Sequence, residues 1–166
     1  SPAALEAARG IIGEIARYPD GNGFELKRAI AHRYGVDMRG ITLGNGSNDV
    51  LEIIARAFLQ PGLESVFSQH AFAVYPIVTQ AIGATARVVP AHDGSHGPRY
   101  GHDLEGMLAA FNEKTRVVFI ANPNNPTGTW LKRDELEAFL ERVPQHIIVG
   151  LDEAYVEYVT EVEYPD

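Results

Sequence analysis

Apolar residues recur along the chain in two rhythms, and the alternation between them sets the expected architecture. Leu5, Ala8, Ile12 and Ile15 follow helical spacing, as do Leu26, Ile30 and Tyr34 in a second segment closed by Gly35. The stretch between them, Tyr18-Pro19-Asp20-Gly21-Asn22-Gly23, is dense in turn formers. Val50, Ile53, Ile54, Ala57 and Phe58 share one face of a third helix that ends at Pro61-Gly62, and further helices are expected at about 71–82, 103–112 and 132–142. Short β-rich runs lie at 41–43, 65–68, 86–89, 116–121 and 147–151. Two of them, Val117-Val118-Phe119-Ile120 and Ile147-Ile148-Val149, are apolar on both faces, as strands are when helices cover both sides of a sheet. Strand–helix alternation of this kind predicts an α/β fold with a doubly wound, mostly parallel sheet. There is no internal repeat, and the only long irregular stretch is 91–101.

Composition narrows the functional classes. The 166 residues are 45% hydrophobic and 22% charged, the balance of a globular protein with room for one sizeable core. A formal net charge of -8 argues against nucleic acid, whose phosphates select clustered Lys and Arg. With no cysteine, disulfides, Cys-ligated zinc and thiol catalysis are excluded, and a reducing compartment fits. No apolar run approaches the ~20 residues of a membrane span, and residues 1–9 lack the basic and apolar blocks of a signal peptide. The expected location is cytoplasmic. Both ends read as cuts within a longer chain: helical sequence begins at once, and residues 161–166 complete no element.

Ligands of open parallel sheets bind outside the carboxyl ends of the strands, often at a helix N-terminus. Four segments are expected there: 44–49, 69–75, 122–128 and 152–155. Gly44-Asn45-Gly46-Ser47-Asn48-Asp49 runs into a helix, so its backbone suits an anion, while Ser47 either caps that helix or binds phosphate. It is not a dinucleotide fingerprint, because Asp49 stands where the third glycine belongs. Asn122-Pro123-Asn124-Asn125-Pro126-Thr127-Gly128 stops a strand with prolines and sets adjacent amides at its end. Asp152-Glu153 closes the last buried strand. A Mg²⁺-binding carboxylate of a P-loop hydrolase is excluded, since no Gly-Lys-Ser/Thr loop exists. A carboxylate at such depth calls for a cation, and a protonated ring nitrogen of a cofactor is one. His92, His96 and His102 share the 91–101 neighbourhood without metal-ligand spacing, so no metal is expected. His70, just before Phe72, reads as an ordinary surface histidine, with contact to the ligand region as its alternative.

Asn-Asn-Pro-Thr-Gly followed by Asp-Glu-Ala-Tyr, with 46–49 upstream, resembles the fold-type I pyridoxal-phosphate aminotransferases. The resemblance is closest to the histidinol-phosphate aminotransferase family, which carries a motif like Arg17-Tyr18-Pro19-Asp20. It implies pyridoxal 5'-phosphate as cofactor, with residues 18–166 a partial cofactor-binding large domain and 1–17 a helix leading into it. It further implies that Asp152 pairs with the pyridine nitrogen and that Asn125 and Tyr155 hydrogen-bond the phenolic oxygen. Phe72 would stack on the ring, where many relatives have Tyr; core packing is the alternative. Ser47 and Asn48 would hold the phosphate through their backbone. Tyr18 would reach that phosphate from the neighbouring subunit of a homodimer, with a hydrophobic staple as its alternative.

The family attaches its cofactor to a lysine beyond Asp-Glu-Ala-Tyr, whereas Lys27, Lys114 and Lys132 all lie upstream of it. The 166-residue chain is therefore expected to be an inactive core. For the parent protein the resemblance implies transamination of L-histidinol phosphate with 2-oxoglutarate, giving imidazole acetol phosphate and L-glutamate in histidine biosynthesis. An aromatic amino acid aminotransferase, a threonine-phosphate decarboxylase and a non-catalytic cofactor-binding or dimerising module remain as alternatives.

Overall fold

The computed structural model describes residues 1–165, which form two compact units, Ser1–Leu43 and a larger one from Gly44 onward. In the first, α1 (Pro2–Ile11) starts with proline where the missing N–H costs nothing, and a 3-10 turn, Ile12–Glu14, continues it. Asp20 accepts the backbone N–H groups of Asn22 (3.0 Å) and Phe24 (2.8 Å), so it closes the turn and satisfies the start of α2 (Phe24–Tyr34). Those donors hold its carboxyl below the usual carboxylate range. Gly35 ends α2 at φ 66°, a left-handed conformation that favours glycine. No residue of this unit is buried.

The strand expected at 41–43 does not form. After a 3-10 turn at Met38–Gly40 the chain is extended but joins no ladder. Half-buried Ile41 and Leu43 alternate with exposed Thr42, the pattern of a surface segment and not of a strand covered on both faces.

In the second unit the elements are α3 (Ser47–Phe58), β1 (Glu64–Ser68), α4 (Val74–Ala81), β2 (Thr85–Val89), α5 (Leu104–Ala110), β3 (Thr115–Ala121), α6 (Arg133–Leu140) and β4 (Ile148–Asp152). The strands form one parallel sheet in the order β2-β1-β3-β4. Alternate residues of β3 face opposite layers, as strand geometry requires. Val117, Phe119 and Ala121 join Leu51, Ala55, Tyr75 and Val78 of α3 and α4, whereas Val118 and Ile120 join Met107, Leu136 and Phe139 of α5 and α6. The sheet is thus doubly wound.

At the amino end of the sheet, buried Glu64 accepts from Arg87 Nε (2.5 Å) and Asn112 Nδ2 (2.7 Å), which ties β1 to β2 and to the turn before β3. The Arg87 guanidinium holds this carboxyl below its ordinary range. At the carboxyl end, Ala121 of β3 stands beside Asp152 of β4, so the segments leaving both strands emerge together. Among the described residues no helix is long and apolar enough to cross a membrane.

Candidate active site

Ser47, Phe72, Asn125, Asp152 and Tyr155 line one cavity of about 90 Å³ at the carboxyl ends of β1, β3 and β4, with Pro123 among its walls. Five residues from four stretches of sequence, each expected to touch a ligand, are therefore brought together. Pro123, Asn125 and Tyr155 also border a wider adjoining cleft of about 460 Å³. Asn48 is exposed beside Ser47 in the first turn of α3. Tyr18 belongs to the other unit and is fully exposed, so its alternative role as a hydrophobic staple is not realised.

Ser47 is the first helical residue of α3. Gly46 is the N-cap, at φ 79° and ψ -178°, a conformation close to glycine-only, and no side chain caps the helix. The capping alternative for Ser47 is therefore not realised either. Asp49 turns back to accept Asn45 N and Nδ2, both at 2.9 Å, and so braces the loop itself. A Cβ on Gly44 would lie 2.7 Å from that of Asp49, so this tight path also needs glycine. The first N–H groups of α3 thus have no side-chain cap at the positive end of the helix dipole.

Asp152 ends β4, half-buried. Its Oδ2 accepts the Tyr75 hydroxyl at 3.0 Å and its Oδ1 accepts the backbone N–H of Ala154 at 3.2 Å. A carboxylate carries about four acceptor positions, so capacity remains for a cationic donor. Phe72 presents a half-buried ring to the same cavity and meets Tyr75 edge-on, with centroids 6.0 Å apart. Core packing thus accounts for one side of this ring, while another is left to the cavity.

Asn125 faces the cavity, but two neighbouring amides that the sequence did not distinguish hold the 122–128 segment in place. Buried Asn122 takes the Leu131 N–H on its side-chain oxygen (2.8 Å) and gives its backbone N–H to Asp152 O (2.9 Å). Buried Asn124 donates to His70 O (2.9 Å) and to Thr127 Oγ1 (2.7 Å), joining the segment to the loop after β1. Both Asn122-Pro123 and Asn125-Pro126 are cis. The Tyr164 hydroxyl, pushed up to about 12 by burial and by Glu153, donates to the Asn122 carbonyl. The stretch that completes no element therefore anchors this loop.

The histidines divide. His102 is buried, its Nε2 bonded to Ala121 O at 2.8 Å and its Nδ1 without a partner, and burial lowers its pKa. His70 is half-buried against Tyr100, with centroids 4.9 Å apart, and not simply a surface residue. Among the described residues no three His, Asp or Glu side chains gather as a metal site. Lys132 pairs with Glu163 at 2.8 Å, which raises its pKa, the opposite of what a nucleophilic amine needs.

A parallel sheet clothed on both faces, with an uncapped helix start, an aromatic ring and a strand-end carboxylate around one cavity, is an α/β arrangement whose strand ends suit an anionic ligand. The chain belongs to the aminotransferase class I and II family, whose model matches residues 1–165. It is 61% identical over 166 residues to histidinol-phosphate aminotransferase 2 of Pseudomonas fluorescens, covering 100% of this chain and 43% of that relative. It is 54% identical over 165 residues to histidinol-phosphate aminotransferase 1 of Nitrosococcus oceani, covering 99% and 43%. Histidinol-phosphate aminotransferase from Sinorhizobium meliloti, solved in complex with pyridoxal-5'-phosphate, superposes with a TM-score of 0.89 at 30% identity, over 99% of this chain and 44% of that one. Aspartate aminotransferase from Thermotoga maritima does so with a TM-score of 0.86 at 26% identity, over 99% and 45%. The chain spans less than half the length of the curated relatives it matches.

Proposed function

We propose that the full-length protein is a pyridoxal-phosphate-dependent aminotransferase that converts L-histidinol phosphate and 2-oxoglutarate to imidazole acetol phosphate and L-glutamate. The observation that carries the reading is the convergence of Ser47, Phe72, Asn125, Asp152 and Tyr155 on one cavity. Identities of 54–61% to proteins named histidinol-phosphate aminotransferase support the choice of substrate.

The donor set suits the cofactor piece by piece. The uncapped N–H groups at Ser47 and Asn48 bind the phosphate. Phe72 covers a face of the ring, and Asn125 and Tyr155 donate to its phenolic oxygen. Asp152 accepts from the ring nitrogen and holds the proton there, since an ionised acceptor favours the charged form of its partner. When bound, pyridoxal phosphate supplies an electron sink for the bond broken at the substrate carbon. Tyr18 reaches the phosphate of a partner subunit in a homodimer, and the protein works in the cytoplasm. The lysine that would attach the cofactor is not among the 166 residues.

The test is a substrate panel on the full-length protein. Highest kcat/KM for L-histidinol phosphate is the expected result. Preference for an aromatic amino acid, or decarboxylation of threonine phosphate, would replace the substrate and keep the cofactor reading.

A further inference from the structure

Tyr75 contributes a hydroxyl to the site that the roles above leave unused. It lies in the first turn of α4, fully buried, and its ring stacks on Phe119 with centroids 4.9 Å apart and planes 9° from parallel. Phe72 meets it edge-on at 6.0 Å and Phe67 at a tilt, 6.1 Å away. Its backbone carbonyl accepts Thr79 Oγ1 at 2.8 Å, and Thr79 in turn shares a hydrogen bond with Ser65 of β1, also 2.8 Å. Three rings and a hydroxyl relay therefore fix the phenol, and its one free atom, the hydroxyl oxygen, sits 3.0 Å from Asp152 Oδ2.

A buried tyrosine hydroxyl always needs some partner, so the bond alone is compatible with plain packing. The choice of partner says more. The phenol donates to the one carboxylate in the cavity, and Ala154 N takes the other oxygen. Together they leave Asp152 a single orientation with acceptor capacity toward the cavity. Burial and the neighbouring carboxylate push the phenol far above its ordinary range, so it remains a donor at every working pH.

We propose that Tyr75 is a positioning residue that holds the Asp152 carboxylate aimed at the ring nitrogen of the cofactor. This rests on the cofactor reading above. The phenol fixes one carboxylate oxygen at 3.0 Å, so removing the hydroxyl frees the rotation of Asp152. Cofactor affinity should then fall.

The experiment is equilibrium binding to the full-length apoprotein of pyridoxal phosphate and of its deaza analogue, which carries C–H in place of the ring nitrogen. Tyr75→Phe, Asp152→Ala and the double variant are compared with the parent. Expected is a roughly tenfold weaker binding of the natural cofactor by Tyr75→Phe, the size of one hydrogen bond to a charged group. No comparable change is expected for the analogue, nor any further loss when Tyr75→Phe is added to Asp152→Ala. Equal weakening of both ligands, or of neither, overturns the role of Tyr75. If Asp152→Ala binds both ligands as the parent does, the cofactor reading itself falls. Should Tyr75→Phe not fold, a structure of the parent with natural cofactor decides: Asp152 beyond hydrogen-bond distance of Tyr75 overturns the proposal.

Discussion

In the proposed function Asp152 carries the pairing with the ring nitrogen, and its surroundings show how a single side chain there would matter. A half-buried carboxylate with two neutral donors still has room for a charged one. In the full-length protein, Asp152→Ala is expected to lower kcat by about two orders of magnitude, as removal of one polar group aimed at a reacting centre does elsewhere. Near-normal turnover would refute its pairing with the ring nitrogen. Asp152 was legible in the sequence because an acidic pair at the end of an all-apolar run is costly unless a cation meets it. Tyr75 was not singled out, although in the helix expected at about 71–82 its spacing of three from Phe72 would put both rings on one side, and that signal was available. Asn122 and Asn124 were hidden for another reason: where three asparagines stand so close together, only packing tells which amides build the loop and which one faces the cavity.

Among the elements, strand β4 passes its constraints to the site through glycine. A Cβ on Gly150 would meet Phe119 Cδ1 at 2.9 Å and Cε1 at 3.2 Å, and Phe119 is the ring on which Tyr75 stacks. Gly150→Ala is therefore expected to cost about 1–3 kcal/mol by overpacking, read from chemical denaturation, and to weaken cofactor binding as well. At the opposite end of the sheet, Glu64→Ala removes the acceptor shared by Arg87 and Asn112. A loss of about 1–3 kcal/mol with cofactor affinity unchanged is expected, because this staple is remote from the strand ends that carry the cavity. The four paired strands and the helices between them were readable because doubly apolar runs and helical spacing are both strong local signals. The 41–43 run misled because three residues look alike whether paired or not; a ladder is a tertiary fact.

For the molecule as a whole, buried histidine links stability to pH. His102 is neutral and buried in the folded state, with a pKa below its ordinary value, so the unfolded chain binds the proton more readily. Stability is then expected to fall as pH drops below about 6.5, where the unfolded histidine begins to charge. Glu64 and Asp20, whose folded pKa values are depressed, add a further loss across the carboxylate range. In the full-length protein, thermal midpoints taken from about pH 7.5 down to about pH 5.5 should decline, and His102→Gln should flatten that slope. An unchanged slope would mean that another group governs it. The central claim, that this sheet edge holds pyridoxal phosphate with Asp152 on its ring nitrogen, is tested most directly by nuclear magnetic resonance of isotope-labelled ring nitrogen in the loaded full-length protein. The expected spectrum shows a protonated nitrogen that loses its proton in Asp152→Ala; the same chemical shift in both proteins would contradict the account.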